Sequence, residues 1–168
     1  DVPDAVLVLM GFGNQNGAQD TRDTYAELAA RPPYAGRVHL VDAVPPQDLL
    51  TWTASADVSI MLFQPTSENH DQVTPQKLWE AMAAGVPAVV SDLPGMRAVV
   101  RDSGSGILVD PSDTAAIAVA IRQIVELPED EWLAWRQRCL EAADVRYNWE
   151  TQVEALLAEY SRLTGKPW

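Results

Sequence analysis

Gln76, Lys77 and Glu80 fall within five residues of one another in the run "VTPQKLWEAMAAGVPAVVSDLPG" (73–95), and their types suit an anion held beside a diol. Their neighbours Leu78, Trp79, Ala81, Met82, Ala83 and Ala84 are apolar or small, so the segment is otherwise built for packing until Gly85 and Pro87 stop it. A helix beginning at Pro75 leaves the N–H groups around Gln76 and Lys77 without intrahelical partners. Those groups, the positive end of the helix dipole and the Lys77 ammonium together attract an anion. Glu80 follows one turn after Gln76 on the same side. A carboxylate there accepts two hydrogen bonds from a vicinal diol, such as a ribose. The other reading is a charged helix residue meeting solvent, and spacing alone does not choose between them.

Other chemistry-bearing runs read more weakly. "GFGNQNG" (11–17) has the spacing G-x-G-x-x-x-G, one residue too long for a dinucleotide fingerprint, and no acid ends the next strand at the usual distance. A strand-ending turn with positive φ at Gly11 or Gly13 explains it as well as a phosphate cradle. "SENHD" (67–71) gathers Glu68, His70 and Asp71, but no second His or Cys cluster completes a metal shell, so a solvated polar loop is expected and no metal. No Asp-x-Asp and no Gly-x-Ser-x-Gly elbow occurs.

These residues need a frame, and the apolar pattern supplies one. "AVLVLM" (5–10), "RVHLV" (37–41), "DVSIMLF" (57–63), "PAVVS" (87–91) and "GILVD" (106–110) are short, nearly continuous apolar runs, as expected of strands covered on both faces of a parallel sheet. Helical patterns near 21–31, 46–55, 75–84 and 94–101 separate them, with Pro46 and Pro75 as first-turn prolines and Gly85 as a terminator. "SDTAAIAVAIRQIVEL" (112–127) follows, with Ser112 as the expected cap, and helices near 129–144 and 149–163 close the chain. The expected fold is α/β: a Rossmann-like, open, mostly parallel sheet flanked by helices, one domain over 1–168, with a core over 1–127 and a helical tail over 128–168. Ligands in such sheets sit at the carboxyl ends of strands, which here are 11–17, 42–46, 64–74 and 91–95.

Composition narrows the partners. Twenty-four acidic against 12 basic residues give a net charge of −12, a surface that repels phosphate backbones and anionic lipid. Nucleic acid is therefore not an expected partner. No apolar run is long enough for a transmembrane segment, and "DVPDAVLVLM" lacks a secretory leader. Cys139 is the single cysteine, which fits a reducing, cytoplasmic compartment.

Residues 57–111 resemble the nucleotide-binding half of the GT-B glycosyltransferases, and most closely the group-one retaining enzymes. The pattern runs through Pro-x-Lys-Leu-aromatic-Glu at 75–80, Gly-x-Pro-x-Val-Val at 85–90 and Gly-x-Leu-Val-x-Pro at 106–111. Residues 5–13, 37–58 and 147–163 resemble the flanking segments in the same order. The resemblance implies that Glu80 binds the donor ribose, that Gln76 and Lys77 meet the diphosphate, and that Asp42, Ala43 and Val44 line a base pocket. The cleft turn is then Gly11 and Gly13. Gln72 stands where the family often has an acid touching the donor sugar; Asn69 fits a subset with the same change, and Thr74 completes that loop. Ala98 replaces another frequent acid. The implied substrate is a nucleoside-diphosphate sugar with no cofactor, and the implied activity is sugar transfer with retention.

The resemblance also implies an acceptor domain and a first strand and helix ahead of Asp1, so this stretch alone is expected to transfer nothing. The absent strand would be central in the order 3-2-1-4-5-6, and another segment, a swapped element or direct pairing of its neighbours is expected in its place. Peripheral membrane association through the missing domain is compatible with this reading. Two rivals share the scaffold: a sugar-nucleotide epimerase, and a non-catalytic nucleotide-binding module.

Overall fold

In the computed structural model, which describes residues 2, 4–12 and 18–168, strands and helices alternate as the apolar pattern requires. The order is β1 (Leu7–Phe12), α1 (Ala18–Ala29), β2 (Val38–Asp42), a 3-10 turn (Pro46–Asp48), α2 (Leu49–Thr53), β3 (Ser59–Met61), α3 (Glu68–Gln72), α4 (Gln76–Ala83), β4 (Ala88–Ser91), α5 (Pro94–Ser103), β5 (Gly106–Val109), α6 (Thr114–Val125), α7 (Glu129–Val145) and α8 (Trp149–Thr164). All five expected strands form, and every strand pair among the described residues is parallel.

The chain divides into two compact units, Asp1–Leu49 and Leu50–Trp168. In the first, β1 pairs with β2 from Leu7↔Val38 to Phe12↔Asp42, and α1 packs against both strands. Gly11 has φ +114° but lies inside β1, where the register shifts between Met10 and Phe12. The expected strand-ending turn is thus a bulge at that position, and glycine supplies the positive φ it needs. Gly13 lies outside the described residues.

In the second unit the sheet order is β3-β4-β5. β4 is central and all four of its residues are buried. Its side chains alternate between faces, as a strand demands. Ala88 and Val90 join Met61, Leu78, Met82, Met96 and Val100 in one cluster, while Val89 joins Val109, Ala120 and Ile124 in the other. Two-sided burial is why these strands read as unbroken apolar runs. Among the described residues β1–β2 form one hydrogen-bonded sheet and β3–β4–β5 another.

α7 lies across the amino ends of the strands. Trp132 Nε1 donates to the carbonyl of Asp57 before β3 (3.1 Å), and Trp135 Nε1 to that of Gly104 before β5 (2.7 Å). The far end of α7 is tied to the end of α5: Arg146 Nη1 (2.9 Å) and the Tyr147 hydroxyl (2.6 Å) both donate to Asp102. Between them Cys139 is fully buried, and burial pushes its thiol from 9.0 to about 11. A raised acid stabilises the fold below its unfolded value, and that contribution fades as pH climbs from 9 through 11. Cys139 is accordingly expected to resist a thiol reagent such as dithionitrobenzoate in the native protein and to react in full in urea. Rapid labelling of the folded chain would contradict this burial.

Three local expectations need correction. "SENHD" is no irregular loop: α3 begins after Ser67, whose hydroxyl accepts the His70 N–H (3.3 Å), and Thr66 Oγ1 lies 2.7 Å from His70 Nδ1. The cap of α6 is Asp113 rather than Ser112; its carboxylate accepts from the N–H groups of Ala115 (3.0 Å) and Ala116 (2.9 Å). Ser112 instead bonds back to Asp110 through both its N–H and its hydroxyl, and these bonds hold the Asp110 carboxyl below its ordinary range. Pro75 is the residue before the first helical turn of α4, not within it.

Candidate functional site

The amino rim of the second unit belongs to α7, which leaves the carboxyl ends of β3, β4 and β5 to loops. That rim is stitched together. Ser91, fully buried at the end of β4, donates its hydroxyl to the carbonyl of Phe63 beyond β3 (2.8 Å). Gln64 Nε2 donates to the carbonyl of Pro111 beyond β5 (3.0 Å), and the Asp92 N–H to that of Val109 (2.7 Å). Arg97 Nε meets Asp92 Oδ1 at 2.5 Å and its Nη2 meets the Asp92 carbonyl at 2.7 Å. Phe63 and the His70 ring pack edge to face at 6.3 Å, which seats α3 on the same rim.

From this edge α4 sets out. No side chain caps it: Pro75 precedes it with φ −69° and ψ 144°, and its carbonyl accepts only from Leu78 N (2.9 Å). Leu78, Ala81 and Met82 are buried and fix the helix against the sheet. Gly85, with φ +71°, ends it; the Gly85 N–H reaches Met82 O and the Val86 N–H reaches Ala81 O. Those paired bonds form a Schellman closure. Among the described residues no side chain caps the free N–H groups of the first turn, which meet the rim with the positive end of the dipole.

Gln76 and Lys77 are exposed in that first turn, and Glu80, one turn on, is half-buried. Lys77 and Glu80 are three apart and within reach of each other on a helix. Yet neither appears in any ion pair or side-chain hydrogen bond among the described residues. Trp79 beside them packs against Tyr147 with ring centroids 5.1 Å apart and planes tilted by 38°. The segment 69–80 thus brings Asn69 and Gln72 on α3, the half-buried Thr74 between the helices, and Gln76, Lys77 and Glu80 on α4 into one continuous stretch.

Gly11, Asp42, Ala43 and Val44 belong to the first unit. Asp42 ends β2, and its carboxylate accepts from Arg22 of α1. Ala43 is exposed and Val44 half-buried just before the 3-10 turn. A depression of about 510 Å³ in the second unit is lined by Leu50, Ala54, Ala83, Arg136 and Leu140. It opens at the other end of α4, on the rim that α7 stabilises, where open α/β sheets do not place ligands. No group of three or more metal-ligating side chains occurs among the described residues. No described helix is long and apolar enough to cross a membrane.

The sequence model of the family described as glycosyl transferases group 1 matches residues 1–126. The chain belongs to this family. Among its relatives, the D-inositol 3-phosphate glycosyltransferase of Corynebacterium urealyticum is 29% identical over 167 residues, which are 99% of this chain and 37% of the relative. The chain therefore spans well under half the length of that group 1 enzyme. Among solved structures, sucrose-phosphate synthase from Thermosynechococcus elongatus superposes with a TM-score of 0.77 at 24% identity, over 98% of this chain and 40% of the other. The HepE protein of Anabaena, crystallised with UDP and glucose, gives a TM-score of 0.72 at 20% identity over 92% and 40%. The α/β architecture, parallel sheets flanked by helices, is that of the Rossmann-like GT-B glycosyltransferases.

The group 1 pattern had pointed to 75–80 but not to what holds those residues. Ser91 and Gln64 act between strand ends 28 and 47 positions apart, and Arg97 turns back on Asp92 five positions away. Only Ser67, a hydroxyl followed by Glu68, carried a readable helix-start signal.

Proposed function

We propose that this chain is the donor-binding half of a group 1 glycosyltransferase that transfers a sugar from a nucleoside-diphosphate sugar, with retention at the anomeric carbon. The observation that carries the reading is the uncapped start of α4, with Lys77 exposed and, one turn on, a half-buried Glu80 that has no partner among the described residues. The diphosphate meets the N–H groups of Gln76 and Lys77 and the Lys77 ammonium; Glu80 accepts from the ribose hydroxyls. Asn69, Gln72 and Thr74 border the sugar. The solved HepE complex with UDP and glucose supports a nucleotide of this class.

The bond from the anomeric carbon to the donor phosphate breaks and its electron pair stays on the phosphate oxygen. An acceptor hydroxyl forms the new bond as it gives up its proton to the departing phosphate oxygen. Fixed N–H groups and a cation aimed at the departing diphosphate stabilise the charge that grows there, with no reorganisation at the moment of reaction. The acceptor domain lies in the remainder of a longer protein, and the inositol phosphate in the corynebacterial relative's name is a candidate acceptor class. The buried, unpaired Cys139 suits a cytoplasmic setting.

Titration calorimetry with UDP and GDP tests the site. Glu80→Ala is expected to weaken the nucleotide that binds the wild-type chain by roughly ten- to a hundredfold, since hydrogen bonds to a charged group contribute about 1.5–3 kcal/mol. Unchanged affinity in a folded Glu80→Ala chain would remove the ribose role.

A further inference from the structure

Of the helices that begin at the carboxyl rim of the second unit, α4 and α5 have no side-chain cap. They differ in what lies against them. A Cβ added to Gly95, the second residue of α5, would stand 2.3 Å from the carbonyl oxygen of Gln72 and 2.7 Å from that of Val73. Gly95 does not have a positive φ, so glycine is required there by space and not by backbone conformation. The chain's own carbonyl oxygens thus rest on the start of α5, while among the described residues no side chain caps the start of α4.

Only Thr74 and Pro75 separate this contact from the first turn of α4. Pro75 is buried, and its ring fixes φ, so the link is short and stiff. A shift of the backbone at Gln72 and Val73 must therefore pass to the N–H groups of Gln76 and Lys77.

We propose that Gly95 is a positioning residue: by admitting the Gln72–Val73 backbone against α5, it sets where the open N-terminus of α4 stands relative to a bound diphosphate. This rests on the donor-site reading above.

The test uses Gly95→Ala in the full chain, with Gly104→Ala as the comparison. Gly104 has φ +63° and no atom within 4 Å of an added Cβ, so its substitution strains the fold without touching the loop. Amide NMR of the ligand-free proteins is read first. The Gln76 and Lys77 resonances are expected to move in Gly95→Ala and to stay in place in Gly104→Ala. UDP calorimetry is read second, with about a tenfold loss expected for Gly95→Ala and none for Gly104→Ala.

Unmoved Gln76 and Lys77 amides in a folded Gly95→Ala chain would overturn the proposal, as would UDP affinity within twofold of wild type. If wild type binds no UDP, the donor-site reading fails for this nucleotide, and the amide shifts alone decide the positioning role. Should Gly95→Ala not fold, the double variant Gly95→Ala, Gln72→Gly gives the loop freedom to retreat. Its α4 amides are expected to be displaced, and wild-type positions there would refute the proposal.

Discussion

Leu78→Ala is expected to lower unfolding free energy by about 2–5 kcal/mol, the range for emptying a fully buried leucine site. Leu78 has no exposed surface and sits in the cluster with Met61, Met82, Met96 and Val100. Its neighbours come from β3, α4 and α5, whose backbones are already fixed by the sheet and the rim bonds. They have little scope to collapse into the space, so the cost belongs toward the upper part of that range. Leu78→Met keeps the volume and is expected to cost less than about 1.5 kcal/mol. Urea midpoints at constant slope measure both. An alanine variant within about 1 kcal/mol of wild type would show that the seat of α4 is looser than its packing.

Gly106→Ala is expected to destabilise by roughly 3 kcal/mol or more, the upper end of overpacking costs. Gly106 opens β5 opposite Ala88, and an added Cβ would stand 2.2 Å from the Ala88 carbonyl oxygen. That atom is backbone in the central strand, so no side chain can swing aside. β5 would have to move off β4, giving up rungs of a ladder that continues to Ser91↔Val109 and the Asp92 N–H bond to Val109. The damage therefore starts at the amino rim and reaches the rim that carries α4. Urea unfolding measures this too, and a cost near 0.5 kcal/mol would mean that the strands separate more cheaply than their register suggests.

The frame was legible because its signals are local or periodic. Val89 and Val90 face opposite layers, yet both are buried, and that is what an uninterrupted apolar run encodes. α4 announced itself through Pro75 at one end and Gly85 at the other, and both mark its boundaries in the structure. α3 was missed because five polar residues have no apolar period; its stability comes from the Ser67 cap and from His70 against Phe63 and Thr66. Asp113 outcompeted Ser112 as cap because Ser112 was already held by Asp110 in the preceding turn. The roles of Gly95 and Gly106 could not be read from one sequence at all. Each depends on a close approach by backbone 18 or more positions away along the chain, at Gln72 and Ala88.

The Ser91 hydroxyl has an effect on how motion is distributed. The backbone rungs of β3 end at Met61, but the bond from Ser91 fixes the chain again at Phe63, two residues farther on. Fraying that would ordinarily soften the tip of so short a strand is held off to that point. The chain beyond Gln64 therefore departs from a point that is bonded to both β4 and the turn after β5.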